Sequence, residues 1–233
     1  MGSQLSAVEM VEAPMIEFIG NSITCAAAAD PSETPCGQGV YHDQHNAYMS
    51  YASRVGRKLQ VNYILSSVSG IGIYRCWNTD GPSMPQVYEK SNFQDYSTLM
   101  WDFTKYTPAI VSIALGTNDL SRGDGKHKRL PFDSGVFVSG YISFVKTIKS
   151  KYPATQIALL SSPMAGGADA ALLQRCLLAV KKAVDAEFPA AKKVAVFFFK
   201  PMQAKGCSGH PDVEDHATLA NELLPFFTGL LKK

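Results

Sequence analysis

The sequence has no strong charge imbalance and no long apolar run. Its 22 lysines and arginines against 20 aspartates and glutamates give a formal net charge of +2. This near-neutral balance offers no electrostatic basis for binding nucleic acid or an anionic membrane surface. No stretch approaches the roughly 18 consecutive apolar residues that a membrane-spanning helix needs. We therefore expect neither a nucleic-acid partner nor insertion into a membrane.

Cysteine is too sparse for a disulfide scaffold. The five cysteines include no Cys-x-x-Cys pair. Cys25 and Cys36 flank a short loop and could close it in an oxidising compartment; the alternative leaves all five thiols free in or near the core. His42 and His45 lack a carboxylate or cysteine nearby at metal-ligand spacing, so a polar loop or helix start explains them better. The sequence predicts no metal site.

The beginning of the chain does not have the pattern of an export signal. Its opening Met-Gly-Ser is typical of an expression tag, and no charged region followed by an apolar core appears there. We interpret residues 1–14 as a tag or leader segment and residues 15–233 as one domain with a substantial core. Because a signal peptide could have been removed, a secreted or periplasmic protein is the expectation and a cytoplasmic one the alternative.

Five apolar runs predict the strands of a parallel sheet. Most are continuous in valine, isoleucine, leucine and phenylalanine instead of alternating with polar residues, a pattern typical of strands covered on both faces. The predicted strands cover residues 15–19, 61–65, 109–115, 156–162 and 193–199.

Segments with helical spacing separate the predicted strands. Predicted helices cover residues 47–59, 136–152 and 170–188. A last helix begins just after Asp212, and Pro225 is expected to bend it. This alternation predicts an α/β fold, a three-layer α/β/α sandwich around a parallel sheet of about five strands. Ligands of such sheets bind beyond the carboxyl ends of the strands, so a catalytic motif should directly follow a strand.

Two polar turns follow the first two predicted strands. Ser22 leaves the first strand after Gly20, which permits a tight turn, and its hydroxyl and N–H would be exposed at the sheet edge. Taken alone, this motif is better explained as an ordinary turn or a helix N-cap. Gly70 follows the second strand and would let a backbone N–H approach a ligand closely. A glycine-rich strand-to-helix turn is an equally good explanation.

Two further polar motifs follow the third and fifth predicted strands. Asn118 would present an amide N–H to a developing oxyanion, the same one that the backbone N–H of Ser22 could approach. Asp119 would hold the loop through backbone hydrogen bonds. His210 stands before the last helix and can be aimed at a serine on the first strand. A lone histidine is more often structural, but this one shares its sheet edge with the other motifs. Each motif is a weak or moderate signal, but their order and their shared placement after strands together strongly indicate a functional site at this edge.

In their order along the chain, these motifs resemble the four blocks of the SGNH (GDSL-like) hydrolase family, which supply serine, glycine, asparagine and histidine. The resemblance covers nearly the whole chain and implies a flavodoxin-like fold. It also implies a serine esterase in which Ser22 is the nucleophile and His210 the base. Gly70 and Asn118 would complete an oxyanion hole with the N–H of Ser22. Such a reaction requires neither a metal nor an organic cofactor.

The sequence is also similar to the second carbohydrate-esterase family. Catalytic domains of that family share the opening Phe-Ile-Gly-Asn-Ser-Ile-Thr, which stands here at residues 18–24, and the segments 48–51 and 68–72 are similar too. The family removes acetyl groups from plant-wall polysaccharides such as xylan and glucomannan. The resemblance therefore implies an acetylated oligo- or polysaccharide as the substrate.

Aromatic side chains in nearby loops are candidates for contact with a sugar ring. Their flat faces suit the apolar faces of sugars, although ordinary packing could explain each of them. The candidates are Tyr41, Tyr74, Trp77 and Tyr88. Of these we assign only Trp77 to substrate binding.

One position departs from the SGNH pattern. Family members generally place an aspartate three residues before the catalytic histidine, where this sequence has Cys207. The resemblance to members with a Ser–His dyad implies that backbone carbonyls accept from Nδ1 of His210 instead. We expect Asp212 and Asp215 to cap the final helix and not to act in catalysis.

Two other functions stay open on the sequence alone. A lysophospholipase or thioesterase of the same fold would act on longer acyl chains. The chain could also be a carbohydrate-binding domain descended from an esterase. The missing aspartate would then be a sign that catalytic activity was lost.

Overall fold

A five-stranded parallel sheet forms the centre of the structure, a computed structural model that describes residues 12–126 and 128–232. The strands are β1 Met15–Gly20, β2 Asn62–Ser67, β3 Ile110–Ala114, β4 Gln156–Leu160 and β5 Ala195–Phe197. Each overlaps a predicted strand. The order across the sheet is β2-β1-β3-β4-β5. The second strand therefore lies on one side of β1, and all later strands are added on its other side. The loops that follow β1 and β3 therefore diverge and leave a crevice at the carboxyl edge.

Six α-helices connect the strands or cover the sheet in the described part of the chain. They are α1 Tyr51–Leu59, α2 Met84–Val87, α3 Thr117–Leu120, α4 Ser134–Lys151, α5 Gly167–Glu187 and α6 Val213–Leu231. Helix α6 runs as one helix across Pro225. The carbonyl that this proline leaves without a helical donor belongs to exposed Asn221, where water can satisfy it.

The first helix begins later than predicted. Residues 47–59 were expected to form one helix, but Ala47–Met49 form a separate 3-10 turn and α1 begins at Tyr51. The cause is Ser50, which is extended and accepts a hydrogen bond from the N–H of Ser53 as the N-cap.

The helices cover the two faces of the sheet in pairs, which confirms the predicted three layers. Helices α1 and α6 pack on one face, where Phe18 of β1 meets Phe227 of α6 edge to face with ring centroids 5.5 Å apart. Helices α4 and α5 cover the other face, with buried Phe144 and Leu177 among their core residues. Each such side chain contributes about 1.5–3 kcal/mol by leaving water, so both faces of the sheet are strongly anchored.

One disulfide joins Cys36 to Cys207, with Cα atoms 5.3 Å apart. The expected alternatives, a Cys25–Cys36 bridge or five free thiols, are both wrong. The thiol of Cys25 instead donates to the carbonyl of Ser22 within its own turn, at 3.6 Å, while Cys76 and Cys176 are buried and free. The bonded pair is separated by 171 residues, so spacing along the sequence could not indicate it.

The first residues of the predicted leader segment, 1–11, lie outside the described part of the chain. The carbonyl of Pro14, the last residue of that segment, accepts from the N–H of Asn62 in β2 at 2.9 Å. None of the helices described in 12–126 and 128–232 has the length and apolarity to cross a membrane.

A fully buried histidine of α6, His216, faces the start of α1. Nδ1 of His216 accepts from the backbone N–H of Tyr51 at 3.2 Å, and the two rings stack with centroids 6.2 Å apart. Burial, and then the positive charge of Arg54, lower the pKa of His216 to about 4. The imidazole is therefore neutral in the folded protein at neutral pH.

The buried imidazole makes stability depend on pH. Between pH 6.5 and 4 the unfolded chain protonates at this position and the folded chain does not, so the free energy of unfolding falls as the pH falls. In urea denaturation, we expect the free energy of unfolding to fall by roughly 2–3 kcal/mol more in the wild type than in His216→Gln across this pH range. His42→Gln, at an exposed histidine, should behave like the wild type. Equal pH dependence in wild type and His216→Gln would contradict the assignment.

Candidate active site

Ser22 lies in a tight turn directly after β1. The carbonyl of Asn21 accepts from the N–H groups of Thr24 at 2.9 Å and Cys25 at 3.1 Å, and the carbonyl of Ser22 accepts from Ala27 at 2.9 Å. A Cβ on Gly20 would stand 2.0 Å from Oγ1 of Thr24, so close approach requires glycine at this position. The turn thus presents Ser22 at the carboxyl edge of the sheet.

Gly70 lies in the turn after β2. Its φ of +83° is in the left-handed region that favours glycine. Its carbonyl accepts from the N–H of Trp77 at 2.8 Å, which closes the turn. Among the described residues, neither the N–H of Gly70 nor that of Ser22 has a protein acceptor. Both donors are available to a ligand.

Asn118 lies in α3, just after β3, and its side chain is held in one orientation. Nδ2 donates to the carbonyl of Ile71 at 2.8 Å. Because an amide nitrogen carries two N–H bonds, one remains for a ligand in the cleft. Arg129 binds the backbone carbonyl of Asn118 at 2.5 Å and so anchors the short helix.

Asp119 holds the loop after Gly70, as predicted. Its buried carboxylate accepts from the N–H groups of Ile73 at 3.0 Å, Tyr74 at 2.9 Å and Arg75 at 3.4 Å. A Cβ on Gly72 would lie 2.5 Å from Oδ2 of Asp119, so this approach also needs glycine. Burial raises the pKa of Asp119, and the three N–H groups oppose that rise. The loops after β2 and β3 are thereby joined.

His210 projects from a closed turn between β5 and α6. Its N–H donates to the carbonyl of Cys207 at 3.1 Å, and its carbonyl accepts from the N–H of Gly206 at 2.7 Å. The N–H of Cys207 donates to the carbonyl of Ala28 at 2.9 Å, which ties the turn to the segment after Ser22. Burial lowers the pKa of His210, and the carbonyls of Ser208 and Cys207 partly oppose this. Nδ1 is buried and has no well-aligned hydrogen-bond partner among the described residues.

The two aspartates after His210 cap α6, as predicted. Oδ1 of Asp212 accepts from the N–H of Asp215 at 2.7 Å. Oδ2 of Asp215 accepts from the N–H groups of Asp212 at 3.2 Å and Lys205 at 2.8 Å. Both carboxylates are thus engaged with backbone donors at the start of the helix.

A cleft of about 820 Å³ brings the predicted site residues together. They are Ser22, Gly70, Trp77, Asn118 and His210. A separate cavity of about 140 Å³ lies beside the buried Glu17.

Only two of the four loop aromatics line the cleft. Trp77 is 46% exposed there, and the hydroxyl of Tyr41 is 2.8 Å from Oγ of Ser69. Tyr74 packs against Phe137 instead, and buried Tyr88 donates to the carboxylate of Glu17 at 3.0 Å.

Several wall residues of the cleft were missed by the sequence analysis, Met164 and Phe93 among them. Met164 follows β4, and Phe93 lies in a long loop with a φ of +53°. Neither belongs to a recognisable motif. A bulky residue in the left-handed region is uncommon, but no sequence pattern signals that conformation.

Of the two histidines at positions 42 and 45, only His45 hydrogen-bonds the segment that follows Ser22. His42 lies in the 3-10 turn Tyr41–Gln44, and Nδ1 of His45 accepts from the N–H of Ala28 at 3.3 Å. Within residues 12–126 and 128–232, no group of three or more His, Cys, Asp or Glu side chains could hold a metal ion.

A family model described as the GDSL-like lipase/acylhydrolase family matches residues 18–218. The chain belongs to this family. The order of serine, glycine, asparagine and histidine along the sequence therefore identified the family correctly.

Two curated relatives match nearly the whole chain. It is 31% identical over 228 residues to cellulase/esterase CelE of Acetivibrio thermocellus, covering 95% of this chain and 26% of that protein. It is 26% identical over 228 residues to an acetylxylan esterase / glucomannan deacetylase of Cellvibrio japonicus, covering 96% of this chain and 59% of that protein. The chain thus spans about a quarter to three fifths of the length of these relatives.

A solved structure supports the same relationship. A family two carbohydrate esterase from Clostridium thermocellum, in complex with cellohexaose, superposes with a TM-score of 0.84 at 30% identity. The match covers 98% of this chain and 67% of that one. The resemblance to the second carbohydrate-esterase family is therefore confirmed.

The Asp119 carboxylate should be important for stability. Asp119→Asn keeps Oδ1, which accepts from all three N–H groups, but it places a donor where Oδ2 now accepts from the N–H of Ile73 at 3.0 Å. It also removes the negative charge that strengthens these buried hydrogen bonds. We expect the free energy of unfolding in urea to fall by roughly 2–3 kcal/mol. Asp133→Asn is the matched control, because Asp133 also accepts from backbone N–H groups, at the exposed start of α4, where asparagine caps equally well. Equal losses in the two variants would contradict this role.

Proposed function

We propose that this protein is a serine esterase that removes O-acetyl groups from carbohydrates of the xylan or glucomannan type. The observation that carries the proposal is the shared cleft, which Ser22, Gly70, Asn118 and His210 all line at the carboxyl edge of the sheet. Family membership and the similarity to esterases named for acetylxylan and glucomannan support the same chemistry.

In the proposed reaction, Nε2 of His210 takes the hydroxyl proton of Ser22 as the oxygen attacks the acetyl carbonyl. The N–H groups of Ser22, Gly70 and Asn118 stabilise the negative charge on the tetrahedral intermediate. His210 then gives its proton to the departing sugar oxygen as the bond from that oxygen to the acetyl carbon breaks. The sugar alcohol is released, and the acetyl group remains bound to Ser22. Water, activated by the same histidine, releases acetate and restores the serine hydroxyl.

The environment of His210 suits a general base. Because burial lowers its pKa, the imidazole is neutral and able to accept a proton at and somewhat below neutral pH. After the proton transfer, the carbonyls of Ser208 and Cys207 favour the imidazolium form. These carbonyl dipoles supply part of the electrostatic support that a carboxylate gives in a Ser-His-Asp triad.

The size and walls of the cleft support a carbohydrate substrate. A volume of about 820 Å³ is far more than an acetyl group fills and leaves space for sugar rings. Trp77 offers a half-exposed aromatic face at this cleft, so we assign it to contact with a sugar.

The proposal includes a secreted or periplasmic location. The Cys36–Cys207 disulfide supports this part, because disulfides persist in oxidising compartments and are rare in the cytosol.

The catalytic assignment is tested with 4-nitrophenyl acetate. We expect Ser22→Ala and His210→Ala each to lower kcat by about a thousandfold or more, since nucleophile and base act together. Asp212→Asn should keep wild-type turnover, because asparagine is an equally good N-cap and the proposed mechanism does not use this carboxylate. Acetylated xylan and glucomannan are then assayed for acetate release.

Other outcomes would indicate the alternative functions. A preference for octanoate over acetate esters would indicate a lysophospholipase or thioesterase. Binding of oligosaccharides without turnover by the folded wild type, unchanged in Ser22→Ala, would indicate a binding domain. Turnover that survives Ser22→Ala would contradict the assigned nucleophile.

The role of Trp77 is tested by truncation. Trp77→Ala should raise KM for acetylated xylan about tenfold, because the stacking face is lost, and Trp77→Phe should raise it less. Tyr96→Ala is the control, since Tyr96 is 78% exposed but does not line the cleft. The same KM in the two alanine variants would exclude a sugar contact at Trp77.

A further inference from the structure

We propose that the Cys36–Cys207 disulfide positions His210 for proton transfer by fixing the turn from which the imidazole projects. This inference rests on the proposed function, in which His210 is the general base. Cys36 and Cys207 touch neither substrate nor reacting atoms, so they are positioning residues.

The turn makes His210 move together with Cys207. The backbone N–H of His210 donates to the carbonyl of Cys207 at 3.1 Å, and Gly206 donates to the carbonyl of His210 at 2.7 Å. Between them, Ser208 and Gly209 both have positive φ, of +53° and +72°. A non-glycine residue in the left-handed region persists only where its surroundings hold it. The position of Cys207 therefore determines where the imidazole lies.

Two ties hold Cys207 against the segment that follows Ser22. The first is the hydrogen bond from its N–H to the carbonyl of Ala28, at 2.9 Å. The second is the covalent bond to Cys36, eight residues further along the same segment. The disulfide thus connects the loop that carries the nucleophile to the turn that carries the base.

Within the part of the chain that the structure describes, no side chain orients the imidazole of His210 by hydrogen bonding. Nδ1 of His210 is buried without a well-aligned acceptor among the described residues, and the carboxylates of Asp212 and Asp215 are engaged at the start of α6. An aspartate would occupy position 207 in the common SGNH pattern, and here that position is covalently bonded. We infer that a covalent tie through the backbone replaces the orienting hydrogen bond of a carboxylate.

The first experiment removes the tie at its exposed end. Cys36→Ser leaves Cys207 in place, and we expect kcat for 4-nitrophenyl acetate to fall roughly ten- to hundredfold, because small misplacements of a catalytic group are costly in rate. KM should change less than about threefold, because the cleft walls are intact. Cys176→Ala, at a buried free thiol of α5, is the control and should keep wild-type kcat. Wild-type kcat in Cys36→Ser would overturn the proposal.

The second experiment separates positioning from general structural support. In a His210→Ala background, Cys36→Ser should cause no further loss of the residual rate, because the tie acts through the imidazole. An equal loss in both backgrounds would overturn the proposal, since it would mean that the disulfide supports the whole site.

The outcomes also separate this inference from the proposed function. A folded but inactive wild type would contradict the esterase itself, whereas an active wild type matched by Cys36→Ser would contradict only the positioning role. If Cys36→Ser does not fold, the wild type is reduced with tris(2-carboxyethyl)phosphine and its fold is followed by circular dichroism. Reduced, folded protein should show the same fall in kcat, and full activity in that state would overturn the proposal.

Discussion

The parallel pairing of the strands is the constraint on which the site depends. Because β1, β2 and β3 run in the same direction, the turns that follow them meet at one edge, although they are far apart in sequence. The three oxyanion donors that we propose, on Ser22, Gly70 and Asn118, come from these three turns. His210 is different, because a longer loop after β5 carries it to the cleft. Its position therefore needs support from outside the sheet, which Ala28 and Cys36 provide.

Buried polar groups keep the loops at this edge rigid. Asp119 satisfies three backbone N–H groups of the turn after β2, and Asn118 is oriented by the carbonyl of Ile71. A buried carboxylate is unfavourable unless it is well hydrogen-bonded, so this arrangement holds only while the loop keeps its shape. The same groups that hold the fold together thus also hold the donors available to a ligand.

Local patterns predicted the strands and four clustered site residues, since buried parallel strands are continuous apolar runs and catalytic turns follow them. The pattern could not predict that Ser50 starts α1, because a serine beside helical spacing fits either a cap or the helix interior. It also could not reveal the pairing of Cys36 with Cys207 or the place of Phe93 in the cleft wall. Those features depend on how distant loops meet, which no local spacing records.

The span of the disulfide has a consequence for how the chain matures. With a sequence separation of 171 between its cysteines, the cross-link removes roughly 5 kcal/mol of chain entropy from the unfolded state, by the loop-closure relation. During synthesis Cys36 emerges long before its partner, while Cys25, Cys76 and Cys176 are still accessible. Correct pairing is therefore favoured once folding has buried Cys76 and Cys176 and has engaged the thiol of Cys25 in its own turn, so oxidation is expected late in maturation.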